Sequence, residues 1–229
     1  MSVALTWFGH NTWLVESGGH KLLIDPFFND NPKSPVNADE VEADFIAVSH
    51  GHFDHTADAA SIAKRTGAKV LAAFEIAGWL QKQGVDEANC IGMNTGGGID
   101  MPFGRLQLTI AHHSSSLPDG SYGGSACGIL LETGGKRIYF ACDTALFVEM
   151  KLLGAAGIDL AVVPIGDLYT MGPRDSVEAV KLVSPKRVAP CHYGTWPPIE
   201  QDAQAWANQV RLHTAAEPVV PVVGQKFSV

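Results

Sequence analysis

A short apolar run that leads into a cluster of ionisable side chains is the feature that most constrains the fold of this chain. Residues 45–48 are Phe, Ile, Ala and Val, and the next seven residues hold three imidazoles and one carboxylate. The ionisable residues are His50, His52, Asp54 and His55. An apolar run of this length is typical of a buried strand, and imidazole and carboxylate groups are common metal ligands. The sequence therefore predicts a metal-binding segment at the end of a buried strand.

Three later segments with the pattern of strands also end in ligand-type residues. These residues are the adjacent pair His112 and His113, then Asp143, then His192. Functional groups often gather where strands end, because the sheet is rigid while the loops beyond it can vary. Four such endings in one chain indicate a single site assembled from distant segments, with zinc, iron, nickel or manganese as suitable ions.

The spacing within the first cluster favours two ions over one. His50 and His52 are two residues apart, so on an extended segment they point the same way. Asp54 and His55 follow where the chain bends towards a helix, and they can face a second ion. One set would be His50, His52 and a histidine of the 112–113 pair, and the other would be Asp54, His55 and His192. Asp143 would bridge the two ions, although a site with one ion stays open.

The order of the predicted elements indicates a layered fold. In each half of the chain strands come first and helices follow, so one domain over residues 1–229, with sheets inside and helices outside, explains the order best. A chain of 229 residues that is 46% hydrophobic can bury a substantial core. We expect a helix over residues 57–65, with Thr56 as its cap and Gly67 as its stop. A late strand is expected near residues 219–223.

Charge, hydropathy and cysteine usage disfavour several classes of function. The net charge of −8 argues against a nucleic-acid partner, which would need clustered Lys and Arg. No apolar run approaches the ~20 residues that span a bilayer, and the first residues lack the pattern of a secretory signal. The four cysteines are scattered and are interpreted as buried thiols. We therefore expect a cytoplasmic protein with no membrane partner.

The cluster His-Gly-His-Phe-Asp-His over residues 50–55 resembles the HxHxDH signature of the metallo-β-lactamase superfamily. His113, Asp143 and His192 follow in that superfamily's ligand order, and the resemblance extends over nearly the whole chain. It is strongest to an uncharacterised metal-dependent hydrolase branch related to L-ascorbate-6-phosphate lactonase. The matching stretches are residues 7–10, 23–27, 113–116, 143–147, 164–167, 169–173 and 192–195. The resemblance implies an α/β (α+β) fold, a four-layer αββα sandwich of two similar halves, and a hydrolytic centre with one or two metal ions.

The resemblance also implies which side chains hold the metal. It favours His113 over His112, because the family-like sequence His-Ser-Ser-Ser begins at residue 113. His112 would then face the core or a neighbouring loop. The implied ligands are His50, His52, Asp54, His55, His113, Asp143 and His192, and Asp54, His113 and His192 are the catalytic candidates among them. Zinc is the first choice of ion, with manganese, nickel or iron as alternatives.

The function expected from this site is metal-assisted hydrolysis of a small-molecule ester, lactone or phosphoester. The nearest named activity suggests a sugar-acid lactonase. One alternative is a non-catalytic metal-binding or scaffold protein on the same fold. Another is an oxidoreductase that passes electrons to a flavin domain, for which this chain has no room. Relatives in the superfamily often self-associate, so a homo-oligomer is also considered.

Several residues near the expected site keep two interpretations. Asp25 either caps a turn or orients a ligand histidine. His10 lies either at the mouth of the site or in the core as a hydrogen-bonded histidine. Cys142 and Cys191 each precede a proposed ligand, and alternation turns them away from the metal. For Ser114, Asp167 and Tyr193 the sequence does not separate substrate contact from loop support.

Overall fold

The computed structural model describes residues 2–229 as two mixed β-sheets with helices on their outer faces. The strands in chain order are β1 (Val3–Trp7), β2 (Trp13–Ser17), β3 (His20–Ile24), β4 (Phe45–Ala47), β5 (Lys69–Ala73), β6 (Cys90–Met93), β7 (Gly98–Met101), β8 (Gly104–Ile110), β9 (Cys127–Thr133), β10 (Lys136–Phe140), β11 (Leu160–Pro164), β12 (Arg187–Cys191), β13 (Glu217–Pro218) and β14 (Lys226–Ser228). The helices are α1 (Phe53–Thr56), α2 (Ala59–Thr66), α3 (Phe74–Lys82), α4 (Met150–Gly154), α5 (Pro173–Val183) and α6 (Ala203–His213). Short 3-10 helices cover Ala38–Glu40, Glu87–Asn89 and Pro197–Ile199.

The two sheets are built on the same plan. The first has the order β14-β1-β2-β3-β4-β5-β6, in which β1 to β3 are antiparallel and β3 to β6 are parallel. The second has the order β13-β12-β11-β10-β9-β8-β7, in which β7 to β10 are antiparallel and β10 to β13 are parallel. The last strand, β14, returns to pair with β1 of the first sheet. Two similar halves are therefore confirmed, with the C-terminus closing back onto the N-terminal half.

Hydrophobic side chains form three cores, which separate four layers. The central core lies between the sheets, where Trp13 of the first sheet meets Phe140 of the second at 6.1 Å between ring centroids. A second core packs α4 to α6 onto the second sheet through residues such as Trp206. A third packs α2 and α3 onto the first sheet through residues such as Ile62 and Ile76. The predicted αββα sandwich is confirmed.

The parallel strands are buried on both faces, which explains their continuous apolar sequences. In β11, Leu160 and Val162 face the core between the sheets, whereas Ala161 and Val163 face the helices. All five residues of this strand are buried. The rigid ends of such strands are the positions from which the candidate site is built.

The first helical segment departs from the prediction. In place of one helix over 57–65 capped by Thr56, the chain forms α1, a break, and then α2, which begins after Asp58. The Asp58 carboxylate accepts a hydrogen bond from the Phe28 amide at 2.7 Å, which connects this break to the loop after β3. Gly67 ends α2 in a left-handed conformation, as expected.

The late strand expected at 219–223 is also wrong, because pairing in this region is limited to β13. Pro218 and Pro221 have no amide hydrogen to donate to a ladder. Across residues 2–229, no helix combines the length and apolar character needed to cross a membrane.

Candidate metal centre

The predicted ligand residues meet at one edge of the sandwich, just beyond the ends of four strands. His50, His52 and the α1 residues follow β4, His113 follows β8, Asp143 follows β10, and His192 follows β12. The Cys127 amide of the second sheet donates to the Ser49 carbonyl at 3.0 Å, which fixes the two halves together beside the cluster. Both halves of the chain therefore contribute to one site.

Three imidazoles form a group that we call the cleft triad, made of His50, His52 and His113. Their candidate ligand nitrogens lie within 4.8 Å of one another. Nε2 of His50 is 3.0 Å from Nδ1 of His52. His50 is buried, whereas His52 and His113 are partly exposed, so this group opens towards solvent on one side.

A second group, which we call the deep triad, consists of Asp54, His55 and His192. Oδ2 of Asp54 lies 3.7 Å from Nε2 of His55 and 4.0 Å from Nε2 of His192. The side chains of His55 and His192 are 0% and 2% exposed, and that of Asp54 is 13% exposed. This group is thus almost closed to solvent.

Asp143 lies between the two triads. Its Oδ2 is 3.0 Å from His192 Nε2 and 3.5 Å from His55 Nε2 on the deep side. On the other side it is 3.6 Å from His113 Nε2 and 3.9 Å from His50 Nε2. The position is the one expected of a carboxylate shared by two ions.

Unsatisfied polar atoms at the centre fit a bound cation. Nε2 of His55, Nε2 of His192 and Oδ1 of Asp143 are buried and have no hydrogen-bond partner. Buried polar atoms without a partner typically cost about 1–3 kcal/mol each. Imidazole nitrogens and carboxylate oxygens in this arrangement are a donor set suited to divalent transition metals.

The electrostatics of the cleft triad favour neutral imidazoles. Burial lowers the pKa of His50 well below its usual value, and the neighbouring His55 adds to this. Burial also lowers the pKa of His52 and of His113. A neutral imidazole has the free lone pair that metal binding requires.

The deep side favours a positive charge. Burial works against the charged form of His55, but the carboxylates of Asp143, Asp54 and Asp25 outweigh it and raise the pKa of His55 well above its usual value. Burial likewise opposes ionisation of Asp143, yet His192 and His55 hold its pKa well below the ordinary range. A metal cation at Nε2 of His55 would face the carboxylates of Asp54 and Asp143, which lie 3.7 and 3.5 Å from that nitrogen.

Asp25 orients a ligand histidine in each triad, His55 by direct contact and His50 through the Ser49 hydroxyl. Its Oδ2 is 2.7 Å from Nδ1 of His55, and the Ser49 amide donates to its Oδ1 at 2.7 Å. The Ser49 hydroxyl donates to Asp25 at 2.6 Å and lies 3.0 Å from Nδ1 of His50. A carboxylate on the outer nitrogen of a ligand histidine fixes its orientation and turns Nε2 towards the metal. The contact corresponds to the second interpretation of Asp25 given above.

His10 is part of this site, and the sequence alone did not assign it. It is fully buried, with Nε2 2.9 Å from Oδ2 of Asp54 and Nδ1 2.9 Å from the Thr195 hydroxyl. Burial, with His192 next, lowers the pKa of His10 to about 3. Because the ring is neutral and a carboxylate only accepts, Nε2 carries the hydrogen and the Thr195 hydroxyl donates to Nδ1. The resemblance of residues 7–10 was the only signal in the sequence.

Backbone strain is concentrated around the same ligands. Positive φ angles occur at His10 (52°), Asp25 (44°), Cys142 (53°) and His192 (52°). Residues other than glycine adopt this region rarely, and such strain clusters at functional sites. The fold therefore stabilises these conformations through the hydrogen bonds and packing around the centre.

Four residues that are adjacent to proposed ligands in the sequence, His112, Cys142, Cys191 and Tyr193, lie outside the triads. His112 is exposed, with its ring 5.0 Å from Phe147 of a neighbouring loop, so it does not join the triads. Cys142 and Cys191 are buried in the core between the sheets, and burial raises the pKa of both thiols. Tyr193 stacks on Trp7 at 5.3 Å and supports the fold from inside.

A cleft of about 650 Å³ opens above the two triads. Residues of its wall are His52, Phe53, Asp54, His113, Ser114, Ser116, Leu117, Pro118, Asp143, Tyr169, His192 and Trp196. Members of both triads and Asp143 thus reach the wall. The volume is that of a site for a small molecule.

Comparison with known proteins agrees with this geometry. Residues 20–193 match the Beta-lactamase superfamily domain. The chain is 46% identical over 209 residues to a UPF0173 metal-dependent hydrolase of Thermus thermophilus, and this alignment covers 91% of this chain and 92% of that protein. It is 45% identical over 228 residues to one of Symbiobacterium thermophilum, covering 98% and 99%. Among solved structures, the metallo hydrolase Igni18 of the hyperthermophilic archaeon Ignicoccus hospitalis superimposes with a TM-score of 0.89 at 34% identity, over 100% of this chain and 99% of that one.

Proposed function

The chain belongs to the metallo-β-lactamase superfamily, and from that premise we propose that it is a metal-dependent hydrolase of a small ester, lactone or phosphoester. The observation that carries the proposal is the pair of triads joined by Asp143 at the base of an open cleft. A purely structural metal site is normally closed by its protein ligands, whereas a catalytic site leaves positions open. The partly exposed His52 and His113 leave the cleft triad open on the substrate side.

The residues that would hold the ions are those named from the sequence. His50, His52 and His113 would hold one ion, Asp54, His55 and His192 the other, and Asp143 both. Zinc suits this set best, and manganese, nickel or iron are also compatible with imidazole and carboxylate donors. A bound ion of this kind supplies a water of lowered pKa and polarises the electrophile's oxygen.

The chain's own groups orient the reaction. Asp143 holds the two triads at a fixed separation, and Asp25 fixes the ring of His55. Asp54 reaches the cleft wall while His10 holds its Oδ2, so its carboxylate is the group placed to accept or return a proton beside the substrate. His113 and His192 also reach the wall from opposite triads, where they would border the scissile group of a bound substrate.

The rest of the chain is consistent with one working unit. We propose that residues 1–229 form a single domain, because the site draws ligands from both halves. We also propose that the protein works in the cytoplasm, since its four cysteines are all free thiols and three of them are buried.

The proposal is tested by metal analysis together with a substrate screen. We expect about one to two ions per purified chain. Lactones, phosphodiesters and thioesters, assayed before and after a chelator and after reloading with zinc, manganese or nickel, should include a class whose hydrolysis requires the ion. A His50→Ala/His52→Ala variant should lose the ion of the cleft triad and its activity, whereas the exposed His112→Ala should keep both.

Two results would contradict the proposal. A His50→Ala/His52→Ala variant that keeps its full metal load would contradict the assignment of His50 and His52 as ligands. Metal-loaded protein that hydrolyses none of the classes would favour the non-catalytic metal-binding alternative.

A further inference from the structure

We propose that the cleft takes a substrate with an uncharged, apolar body, whose scissile ester or lactone group is its main polar part. The inference rests on the proposed function and narrows its substrate class. It depends on three features of the cleft wall, which are an aromatic side next to the ligands, a fixed tyrosine at the rim, and the charge of the remaining wall.

The aromatic side of the wall begins at the ligands themselves. Phe53 stands between His52 and Asp54 in the sequence, and it is 52% exposed. Its ring centroid lies 5.9 Å from that of Phe27 and 6.1 Å from that of Trp196. A large apolar side chain left half exposed beside a catalytic centre is a binding surface for an apolar group. A substrate positioned at the centre therefore touches aromatic carbon immediately beyond the reacting atoms.

Tyr169 adds a second apolar surface at the rim. It is 57% exposed and follows two residues in the left-handed region, Asp167 (φ 62°) and Leu168 (φ 45°). The turn is closed by the Asp167 amide, which donates to Met171 at 3.1 Å, and the Met171 amide donates to Thr144 at 3.0 Å. Residues with bulky side chains rarely adopt this conformation, so the hydrogen bonds hold Tyr169 over the cleft at a cost in backbone strain.

The charge of the wall disfavours a substrate with a second anionic group away from the scissile bond. None of the twelve described residues that form it is Lys or Arg. Its five histidine and aspartate members all belong to the triads or are Asp143, and its other polar groups are the neutral hydroxyls of Ser114, Ser116 and Tyr169 and the indole N–H of Trp196. A carboxylate or phosphate far from the scissile bond would lose water without gaining a counter-charge, which is unfavourable. The wall thus fits an alkyl or aryl body better than the phosphorylated sugar acid that the resemblance suggested.

The test compares two metal-chelating probes of equal length that differ only at the far end. Hexanohydroxamate and the monohydroxamate of adipic acid both bind metal through the hydroxamate, but one ends in a methyl group and the other in a carboxylate. Calorimetry with zinc-loaded protein should give a dissociation constant about tenfold lower for hexanohydroxamate, because its terminal methyl group gains from contact with the aromatic wall, whereas the carboxylate would lose water without a counter-charge.

Variants of the wall locate the preference. Phe53→Ala and Tyr169→Ala should each reduce the preference at least about threefold, with unchanged zinc content. Tyr169→Phe should retain it, because the ring is preserved. Phe74→Ala is the matched control, since Phe74 is 71% exposed and lies outside the wall.

The outcomes separate this inference from the proposed function. Equal or tighter binding of the carboxylated probe by zinc-loaded protein overturns the inference and leaves the metal-dependent function standing. The same holds if Phe74→Ala reduces the preference as much as Phe53→Ala and Tyr169→Ala do. Protein that takes up no zinc and binds neither probe overturns both proposals.

Discussion

The deep triad and the cleft triad use similar side chains but hold them in different ways. His55 of the deep triad is fully buried, and its outer nitrogen contacts Asp25 at 2.7 Å. His52 of the cleft triad is partly exposed, and the partners near its ring nitrogens are its fellow ligand His50, at 3.0 Å, and the Ser114 hydroxyl, at 3.3 Å. His55 is thus fixed by a buried carboxylate, whereas His52 lies at the solvent side of its triad and has no such support.

This difference suggests a division of labour. Outer hydrogen bonds that orient metal ligands typically change metal affinity or activity 10–100-fold. We therefore expect the deep triad to bind its ion more tightly. The cleft triad, which faces the substrate, would lose its ion first when free metal is limiting.

The largest effect should come from the residue that the two triads share. Asp143→Asn removes the negative charge that lies within 4 Å of histidines on both sides. We expect the loss of both ions and a fall in hydrolysis of more than about 100-fold, above the range for outer-sphere partners. Metal analysis and steady-state kinetics measure this. Asp100→Asn, at an exposed surface ion pair, is the control, and a variant with either triad fully loaded would contradict the bridging role.

Removing one imidazole from each triad in turn should have different effects on the number of ions that the chain retains. His55→Ala takes away a buried deep ligand, and we expect it to leave only weak metal binding at the cleft side. His52→Ala should retain one tightly bound ion, because the deep triad is intact. The ions retained per chain after dialysis against limiting free zinc distinguish the two. Equal retention by both variants would show that the triads do not differ in affinity.

Asp25→Asn tests the support under the deep triad. Asn keeps the size of the side chain but loses the carboxylate beside His55 Nδ1. We expect zinc affinity at the deep triad to fall by about 10–100-fold. The effect at the cleft triad should be smaller, because Asp25 reaches His50 only through the Ser49 hydroxyl. Competition with a chromophoric chelator gives both affinities, and an unchanged deep affinity would remove Asp25 from this role.

The smallest effect should come from His10, which touches a ligand through a single hydrogen bond. His10→Ala removes the donor to Asp54 Oδ2 and should weaken zinc binding at the deep triad about tenfold, at the low end of the outer-sphere range. His10→Gln places an amide donor at a similar distance and should restore most of the affinity. If both variants bind zinc equally weakly while remaining folded, the ring acts through packing and not through its donor.

The sequence placed the seven candidate ligands in one set and gave little sign of the residues that support them, for physical reasons. His50, His52, Asp54 and His55 lie within six residues, so their chemistry is visible locally, and His113, Asp143 and His192 each follow a strand-like run. In the structure these seven side chains lie together around Asp143. His10 and Asp25 act across 44 and 30 residues, through contacts that only the packed sheets create.

The same limit explains the errors in the fold. The sandwich follows from continuous apolar strands and amphipathic helices, which are local patterns. At the break between α1 and α2, Asp58 accepts a hydrogen bond from the amide of Phe28, which is 30 residues earlier in the chain, and no local pattern reveals this contact. Tyr169 lines the cleft after a turn whose two left-handed residues, Asp167 and Leu168, are not glycine, so the sequence does not indicate the turn.

The most direct test of two triads around a shared carboxylate is anomalous scattering from crystals of the zinc-loaded protein, recorded at the zinc absorption edge. We expect two peaks, one beside His50, His52 and His113 and one beside Asp54, His55 and His192, each next to Asp143. Crystals soaked at limiting zinc should keep the second peak and weaken the first. Peaks away from these residues, or no peak in crystals grown with excess zinc, would contradict this expectation.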